Sequence, residues 1–264
     1  MRIPLFQVDA FTDKRFAGNP AAVCLLSVWL DDQTLQKVAA ENNLSATAFL
    51  VPGDNHYEIR WFTPICEIRL CGHASLAAAH LVFNLLNPQL LQTRFKTRFS
   101  GEMPVSRNGE QILLDFPAVV PKVQSGIPVS LERAVLPPAR IAEVLEGNQT
   151  YIAVCEAAEQ VRDLKPDLEL IERLHPFVFA ATAPGHDVDF VSRYFAPGYG
   201  IPEDPVTGSL HCALAPYWAN RLGKNKLRAR QLSQRGGELW CEWRGDRVVL
   251  AGSAVLIKHA VLTI

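Results

Sequence analysis

The sequence has neither an excess of charge of one sign nor a long apolar run. Its 264 residues include 26 Lys and Arg against 27 Asp and Glu, a formal net charge of −1 at pH 7. Such a chain presents no positive field to a phosphate backbone, so we expect no nucleic-acid partner. The most apolar stretch, residues 74–86, is broken by His80 and Asn84. A membrane span needs roughly 18 uninterrupted apolar residues, so we expect no membrane partner either.

The cysteines show neither the spacing of a disulfide framework nor that of a zinc site. Cys66, Cys71 and His73 lie close together, but no second Cys/His pair at ligand spacing accompanies them, so no metal is expected. Asp9 and Asp13 interrupt the segment in which a signal peptide would need apolar residues. These features predict reduced thiols and a cytoplasmic location.

An internal repeat divides the chain, whose length suits two cores better than one. Arg60-Trp-Phe-Thr-Pro64 is echoed by Arg193-Tyr-Phe-Ala-Pro197, and Glu67-x4-Gly72-His73 by Glu203-x4-Gly208-Ser209, which lies 136 residues later. The same offset relates three further segments, namely Gly101-Glu102 to Gly237-Glu238, Gly109-Glu110 to Gly245-Asp246, and residues 112–114 to 248–250. Several matches in order at one offset indicate a duplication.

Each copy is predicted to be a mostly antiparallel, curved sheet around one buried helix. Hydrophobic periodicity predicts strands at 3–11, 21–26, 47–51, 57–62, 92–98, 102–106 and 112–116, and again at 227–233, 238–243 and 247–251. Residues 31–43 form an amphipathic helical pattern, with Leu35, Val38 and Ala39 on one face. The segments 72–86 and 208–222 are apolar on nearly all sides and are predicted to be buried helices.

The segment between the copies is rich in turn-forming residues and is predicted to be a linker with turns. These residues are Pro117, Pro121, Gly126, Pro128, Pro137 and Pro138. We accordingly expect one domain at 1–117 and a second at 118–264. The C-terminal strand, 254–264, is able to complete either half.

A glycine begins each of the two buried helices, Gly72 in the first copy and Gly208 in the second. The first N–H groups of a helix have no internal partner and carry the positive end of the dipole. Because glycine lets a ligand approach the backbone closely, each turn is a candidate receptor for a small carboxylate. The alternative is that the glycines only relieve crowding at a tight turn.

The two turns differ in chemistry. The first offers Cys71 and His73, and the second offers Asp204, Thr207 and Ser209. An imidazole and a carboxylate on opposite walls of one cleft would form a general acid–base pair near neutral pH. A histidine is more often structural than catalytic, and we expect this of the others: His56, His80, His175, His186, His211 and His259.

The chain resembles the PhzF family of phenazine-biosynthesis-type isomerases almost from end to end. The resemblance rests on Val8-Asp-Ala-Phe-Thr12, Gly18-Asn-Pro-Ala-Ala-Val23, Asn43-Leu-Ser-x-Thr-Ala-Phe49, Phe62-Thr-Pro64, Cys71-Gly-His-Ala74 and Glu203-Asp-Pro-Val-Thr-Gly-Ser209. It implies an α/β (α+β) fold of two pseudosymmetric diaminopimelate-epimerase-like domains. It also implies catalysis without a cofactor and a possible homodimer.

The resemblance also implies a set of site residues. The catalytic positions are Ala46, His73, Asp204 and Ser209, and the substrate-binding positions are Ser45, Cys71, Gly72, Thr207 and Gly208. At position 46 this chain departs from the family, which has a glutamate there that moves a proton between ring carbons. A methyl group cannot do this. Either Ala46 is an introduced replacement, or it is natural and the protein uses Asp204 or His73 as its base or transfers no proton.

Three functions follow as hypotheses. The first is an isomerase that shifts a proton on a small carboxylate-bearing metabolite. The second is a catalytically silent member of the family that binds a small molecule or a protein. A racemase or epimerase is the third and is less favoured. Diaminopimelate epimerase uses one cysteine from each half as its two bases, whereas the corresponding residues here are Cys71 and Thr207. Cys71 with Asp204 would be the remaining pair of bases for a racemase.

Overall fold

The computed structural model describes residues 1–126, 128–135 and 141–264, except for the side chain of Ser130. The chain divides into two compact units. The first unit consists of Met1–Phe116 together with Ala251–Ile264, and the second of Pro117–Leu250. The C-terminal strand, which the sequence left open to either half, therefore lies in the first unit.

The described residues of the first unit form two α-helices and nine strands, the last of which follows the second unit in the chain. Its elements are β1 (Arg2–Ala10), β2 (Asn19–Leu25), α1 (Asp32–Asn42), β3 (Ala46–Pro52), β4 (Tyr57–Phe62), β5 (Glu67–Ile68), α2 (Gly72–Leu81), β6 (Gln92–Thr97), β7 (Glu102–Asn108) and β8 (Gln111–Pro117). A π-helical turn, Val82–Leu86, extends α2.

The second unit follows in the chain, and the first unit's last strand comes after it. These elements are β9 (Lys122–Val123), α3 (Val129–Val135), β10 (Ile141–Gly147), β11 (Thr150–Cys155), α4 (Ala158–Arg162), α5 (Leu168–Glu172), β12 (Val178–Pro184), β13 (Phe190–Phe195), α6 (Gly208–Leu222), β14 (Lys226–Gln231), β15 (Gly237–Arg244), β16 (Arg247–Gly252) and β17 (Ala254–Thr263).

The strands of the two units pair in the same order. In the first unit β1–β2 is antiparallel, β2–β3 parallel, β3–β4 antiparallel, β4–β6 parallel and β6–β7 antiparallel. The pairs β10–β11, β11–β12, β12–β13, β13–β14 and β14–β15 repeat this alternation in the second unit. On its other side β1 pairs with β17, and β10 pairs with β9. Both units are thus mostly antiparallel, as predicted.

The echoed Arg and Glu of the sequence repeat form an ion pair in each unit. Arg60 donates two hydrogen bonds to Glu67, both at 2.7 Å, and Arg193 donates two to Glu203 at 2.7 and 2.9 Å. Bidentate pairs of this kind fix geometry as well as charge. Arg193 follows Arg60 by 133 residues, whereas Glu203 follows Glu67 by 136. The second copy accommodates the difference in a short 3₁₀ turn, Pro197–Tyr199.

The predicted helices are confirmed, with one difference. In α1, Asp31 caps the N-terminus by accepting from the Thr34 N–H, and Leu35, Val38 and Ala39 are buried as predicted. α6 spans the predicted residues and ends at Gly223 in the left-handed conformation. The helix predicted at 72–86 ends earlier, at Leu81. Beyond it Asn84 donates to the carbonyl of His80 at 3.0 Å, and the backbone widens into the π-helical turn.

The predicted linker is wrong in its central part. Residues 129–135 form α3, and its buried residues Leu131, Ala134 and Val135 pack in the core of the second unit with Phe179. A proline-rich composition therefore masked a helix that tertiary packing stabilises. Pro137 and Pro138 lie outside the described residues. In the part of the chain that is described, no helix is long and apolar enough to cross a membrane.

Candidate functional site

In the first unit, the predicted turn places, at the start of α2 and beside the side chain of His73, N–H groups that have no acceptor in the described part of the chain. Cys71 has extended backbone angles and its side chain does not cap α2. The first helical hydrogen bond is donated by Ser75 N–H to the carbonyl of Cys71, at 3.1 Å. Among the described residues, no acceptor is found for the N–H groups of Gly72 and His73. These two donors are thus available at the start of α2.

His73 connects Cys71 with Ser45, which comes from the loop before β3. Its Nε2 lies 3.2 Å from Ser45 Oγ, and its Nδ1 lies 3.5 Å from Cys71 Sγ. Ser45 Oγ also lies 2.8 Å from Asn19 Oδ1 and 3.2 Å from the carbonyl oxygen of Pro20. The structure therefore brings together the predicted residues Ser45, Cys71 and His73.

The hydrogen bonds of Ser45 assign the tautomer of His73. A serine hydroxyl has one hydrogen, and its nearest acceptor is Asn19 Oδ1. His73 Nε2–H then donates to Ser45 Oγ, and His73 Nδ1 faces the thiol of Cys71. Burial lowers the pKa of His73 to about 3. The imidazole is therefore neutral near pH 7 and supplies hydrogen bonds rather than positive charge.

Ala46 follows Ser45 directly and is the first residue of β3. It is fully buried and pairs with Ala21 of β2. Its methyl group neither accepts nor donates a proton. At the position where the resemblance implies a catalytic glutamate, the first unit thus provides only apolar contact.

In the second unit, hydrogen bonds among Asp204, Thr207 and Gln231 hold the predicted turn. Thr207 Oγ1 donates to Asp204 Oδ2 at 2.5 Å, and both residues are buried. Gln231 of β14, which is fully buried, accepts from the Thr207 N–H at 2.9 Å and donates to the carbonyl of Asp204 at 2.6 Å. Its amide also lies 3.3 Å from Thr207 Oγ1. Gln231 was not predicted, because 24 residues separate it from Thr207 and only the fold brings them together.

Gly208 and Ser209 begin α6, and the side chain of Thr207 does not cap the helix. Ser209 is half-buried, and among the described residues its hydroxyl makes no hydrogen bond. The second unit thus offers a hydroxyl, a carboxylate and the N–H groups at the start of α6. His211, one turn further, donates from Nδ1 to the carbonyl of Thr207 at 2.8 Å. It is fully buried, and its structural role stays a prediction.

The described residues contain no group of three or more His, Cys, Asp and Glu side chains arranged to bind a metal. A cavity of about 580 Å³ opens in the first unit, lined by His80, Arg107 and Glu110 among others. It lies at the end of α2 remote from Gly72, and a helix of 10 residues is about 15 Å long. None of the predicted site residues lines this cavity.

Comparisons with known proteins identify the family. The phenazine biosynthesis-like protein family, PhzC-PhzF, matches residues 8–260. A Pseudomonas aeruginosa protein named as an uncharacterized isomerase is 48% identical over 258 residues, which cover 97% of each chain. The crystal structure of an Enterococcus faecalis protein of the PhzF family is 40% identical, covers 100% of both chains and has a TM-score of 0.94. The chain belongs to the PhzF family.

The fold extends beyond this family. A probable proline racemase from Agrobacterium radiobacter has a TM-score of 0.67 at 12% identity, covering 99% of this chain and 92% of its own. This likeness concerns the fold alone. The fold predicted from the resemblance, a PhzF and diaminopimelate-epimerase-like mixture of α and β with few helices, is confirmed.

Proposed function

We propose that the protein is a cofactor-independent isomerase that shifts a proton on a small carboxylate-bearing metabolite. Membership of the PhzF family, in which relatives bear the name of isomerases, supports this reaction class. The observation that carries the proposal is the pair of uncapped glycine turns, each beside proton-bearing side chains. The N–H groups of Gly72, His73, Gly208 and Ser209 are suited to bind carboxylate oxygens.

Asp204 is the proposed base. It is a buried carboxylate, whereas His73 has a pKa of about 3 and both of its ring nitrogens face protein groups. The Asp204 carboxylate removes a proton from a substrate carbon that lies next to an electron-withdrawing group. The electron pair of the broken C–H bond moves into the conjugated system of the substrate. The protonated carboxyl group then returns the proton to another carbon of the same molecule. The atoms of substrate and product are therefore the same.

The roles of the two turns differ in this proposal. The imidazole of neutral His73 donates to Ser45 and orients the first turn without adding charge, while the backbone N–H groups of Gly72 and His73 hold that side of the substrate. Ser209 offers the only hydroxyl on the second turn that forms no hydrogen bond within the described part of the chain. We propose that both turns act on the same substrate, as the sequence predicts.

A proton-exchange screen tests the proposal. Small cyclic and dihydroaromatic amino acids are incubated with the protein in deuterated buffer, and NMR detects deuterium in the carbon skeleton. Asp204→Asn should lower the exchange rate by about 10²–10⁴-fold, the usual contribution of a positioned acid–base group. Asp54→Asn, the same change in an exposed turn, is the matched control and should leave the rate unchanged.

The screen also tests which base is used. His73→Asn should reduce exchange less than Asp204→Asn does, because a neutral amide can replace the hydrogen bond of the neutral imidazole. Ala46→Glu should raise the rate by restoring the family's carboxylate. Absence of label from every compound, both with Ala46 in place and with Ala46→Glu, would rule out this function.

The alternative is a catalytically silent binding protein, and the buried methyl group of Ala46 is the observation that favours it. It predicts that compounds from the same panel raise the melting temperature without exchanging protons. It also predicts that Ala46→Glu creates no exchange. Label incorporated by the unaltered chain would exclude this alternative.

A further inference from the structure

Trp61 in β4 has a buried hydrogen-bond donor without an acceptor. The side chain is 1% exposed, and within the described residues its indole Nε1 has no hydrogen-bond partner. Buried polar atoms are nearly always paired in folded proteins. The indole nitrogen only donates, so the missing partner is an acceptor, such as an oxygen atom.

The register of the sheet places Trp61 on the same face as Ala46. Trp61 pairs with Ala48, and side chains alternate between the two faces of a strand. Ala46 and Ala48 therefore share the face of Trp61, and Ala46 is its diagonal neighbour across β3 and β4. Such diagonal positions lie within reach of aromatic and long side chains. The opposite face carries Phe49 and Phe62, which pack in the core beneath α1.

The second unit also has an aromatic side chain with a polar hydrogen at the corresponding position. Tyr194 of β13 pairs with Ala180 as Trp61 pairs with Ala48. Burial raises the pKa of the Tyr194 hydroxyl, and the side chain of Thr150 in β11 opposes this shift. Thr150 in turn pairs with Val178 of β12.

The same places in the first unit hold no acceptor. The pair that corresponds to Thr150 and Val178 is Ala21 and Ala46. Two methyl groups thus stand where one unit has a hydroxyl and where a glutamate at position 46 would bring a carboxylate. Because both positions are alanine, neither offers an acceptor to the indole.

We propose that the indole N–H of Trp61 binds a carboxylate oxygen of the small molecule that the protein takes up. The oxygen would lie beside Ala46, in the region that a longer side chain at this position would enter. Each carboxylate oxygen accepts more than one hydrogen bond, so the N–H of Trp61 need not be the only donor to the bound oxygen. The inference rests on the proposed function for the class of ligand, but not for catalysis.

Acetate, the smallest organic carboxylate with a methyl group, is the probe. The chain has 5 tryptophans, and Trp61→Phe identifies the Trp61 signal among the indole N–H resonances of the ¹⁵N-labelled protein. Sodium acetate should move this resonance downfield until it saturates, whereas sodium chloride at equal ionic strength should not. If acetate moves it no more than chloride does, the proposal is wrong.

A pair of variants of equal side-chain length tests the position of the oxygen. Ala46→Gln brings an amide oxygen to the Trp61 N–H, so the resonance should shift downfield without acetate and should no longer respond to it. Ala46→Met fills the same space without an oxygen and should abolish the acetate response without the downfield shift. Identical spectra of Trp61 in the two variants would overturn the assignment.

These measurements are separate from the test of catalysis. A response to acetate in a protein that exchanges no protons leaves the Trp61 site in place and removes the isomerase proposal. Proton exchange together with a Trp61 resonance that acetate does not move would keep the isomerase proposal and remove the Trp61 site. If a variant at position 46 does not fold, the acetate titration of the unaltered chain still decides the question.

Discussion

Burial determines the charge of the two histidines near the glycine turns. It lowers the pKa of His73 to about 3 and that of His211 to about 4, although the hydrogen bond to Thr207 opposes the shift in His211. Both imidazoles are therefore neutral at pH 7. In the unfolded chain they titrate near 6.5, so below that pH unfolding takes up protons that the folded protein excludes.

The sign of this linkage predicts loss of stability in acid. Between pH 6.5 and about 4 the unfolded state binds more protons at His211, so stability falls as the pH falls, by at most about 1.4 kcal/mol per pH unit. His211→Asn keeps a donor to the Thr207 carbonyl and does not titrate. From pH 7 to pH 5 its free energy of unfolding in urea should fall by about 2 kcal/mol less than that of the unaltered protein.

The exposed His186 provides the control for this measurement. His186→Asn should follow the pH dependence of the unaltered protein. If His211→Asn followed it as well, His211 would not be the source of the acid sensitivity.

None of the six cysteines, all of which lie in the described residues, forms a disulfide, and burial separates the reactivities of their thiols. It raises the pKa of Cys24 and Cys212 to about 12 and that of Cys155 to about 11. Since the thiolate is the reactive form, these groups should not react in the folded protein. Cys66 is half-buried and is the most accessible thiol.

A disulfide reagent at pH 8 should therefore modify Cys66 first. The colour change should show one fast thiol, followed by the others only when guanidinium chloride unfolds the chain. Cys66→Ser should remove the fast phase. A fast phase that persists in this variant would show that a buried cysteine becomes accessible in the native state.

At the scale of elements, the turn before α6 depends on a strand that follows the helix. Gln231 of β14 pairs with the N–H of Thr207 and the carbonyl of Asp204. Gln231→Leu would leave both backbone groups buried without partners, at a cost of about 1–3 kcal/mol each. We expect the free energy of unfolding to fall by about 2–5 kcal/mol, measured by urea denaturation.

Gln92→Leu is the matched control, because Gln92 is an exposed residue of β6. It should change the free energy of unfolding by less than about 0.5 kcal/mol. Equal effects of the two substitutions would mean that Gln231 does not hold the turn. Retained stability with Gln231→Leu would mean that the turn finds other partners.

Element prediction succeeded where the signal was local. The capping Asp31, the buried face of α1 and the glycine that ends α6 all follow from short-range chemistry. It failed at α3, where prolines flank a helix of 7 residues whose apolar side chains gain stability only by packing in the core. Strands β10 to β12 carry the same pairing order as the first unit, but too little sequence similarity remains there to predict them from the repeat.

At the scale of the whole molecule, the end of the chain belongs with its beginning. β17 pairs antiparallel with β1, from Arg2 with Thr263 to Ala10 with Ala254. Deletion of residues 254–264 would expose the hydrogen-bonding edge of β1. Hydrogen exchange should then lose protection in β1 and β2, while β11 to β13 of the second unit keep theirs.

A shorter truncation, which removes only residues 263 and 264, is the control and should leave protection in β1 nearly unchanged. Equal loss of protection in β1 and β12 after the longer deletion would contradict this assignment. It would mean that the two units unfold together. The cytoplasmic location, which the cysteine pattern and the N-terminal segment predict, stays a prediction. The homodimer that the resemblance implies stays one as well.

The sequence by itself determined the repeat, the family, the two glycine-led helices and the missing carboxylate at Ala46, because each is written in residues that are near neighbours in the chain. Tertiary structure alone decided that His73 is neutral between Ser45 and Cys71, that Gln231 holds the Asp204 turn and that Trp61 lacks an acceptor. These properties depend on burial and on contacts between residues far apart in sequence. Burial and these long-range contacts arise only from strand register and packing.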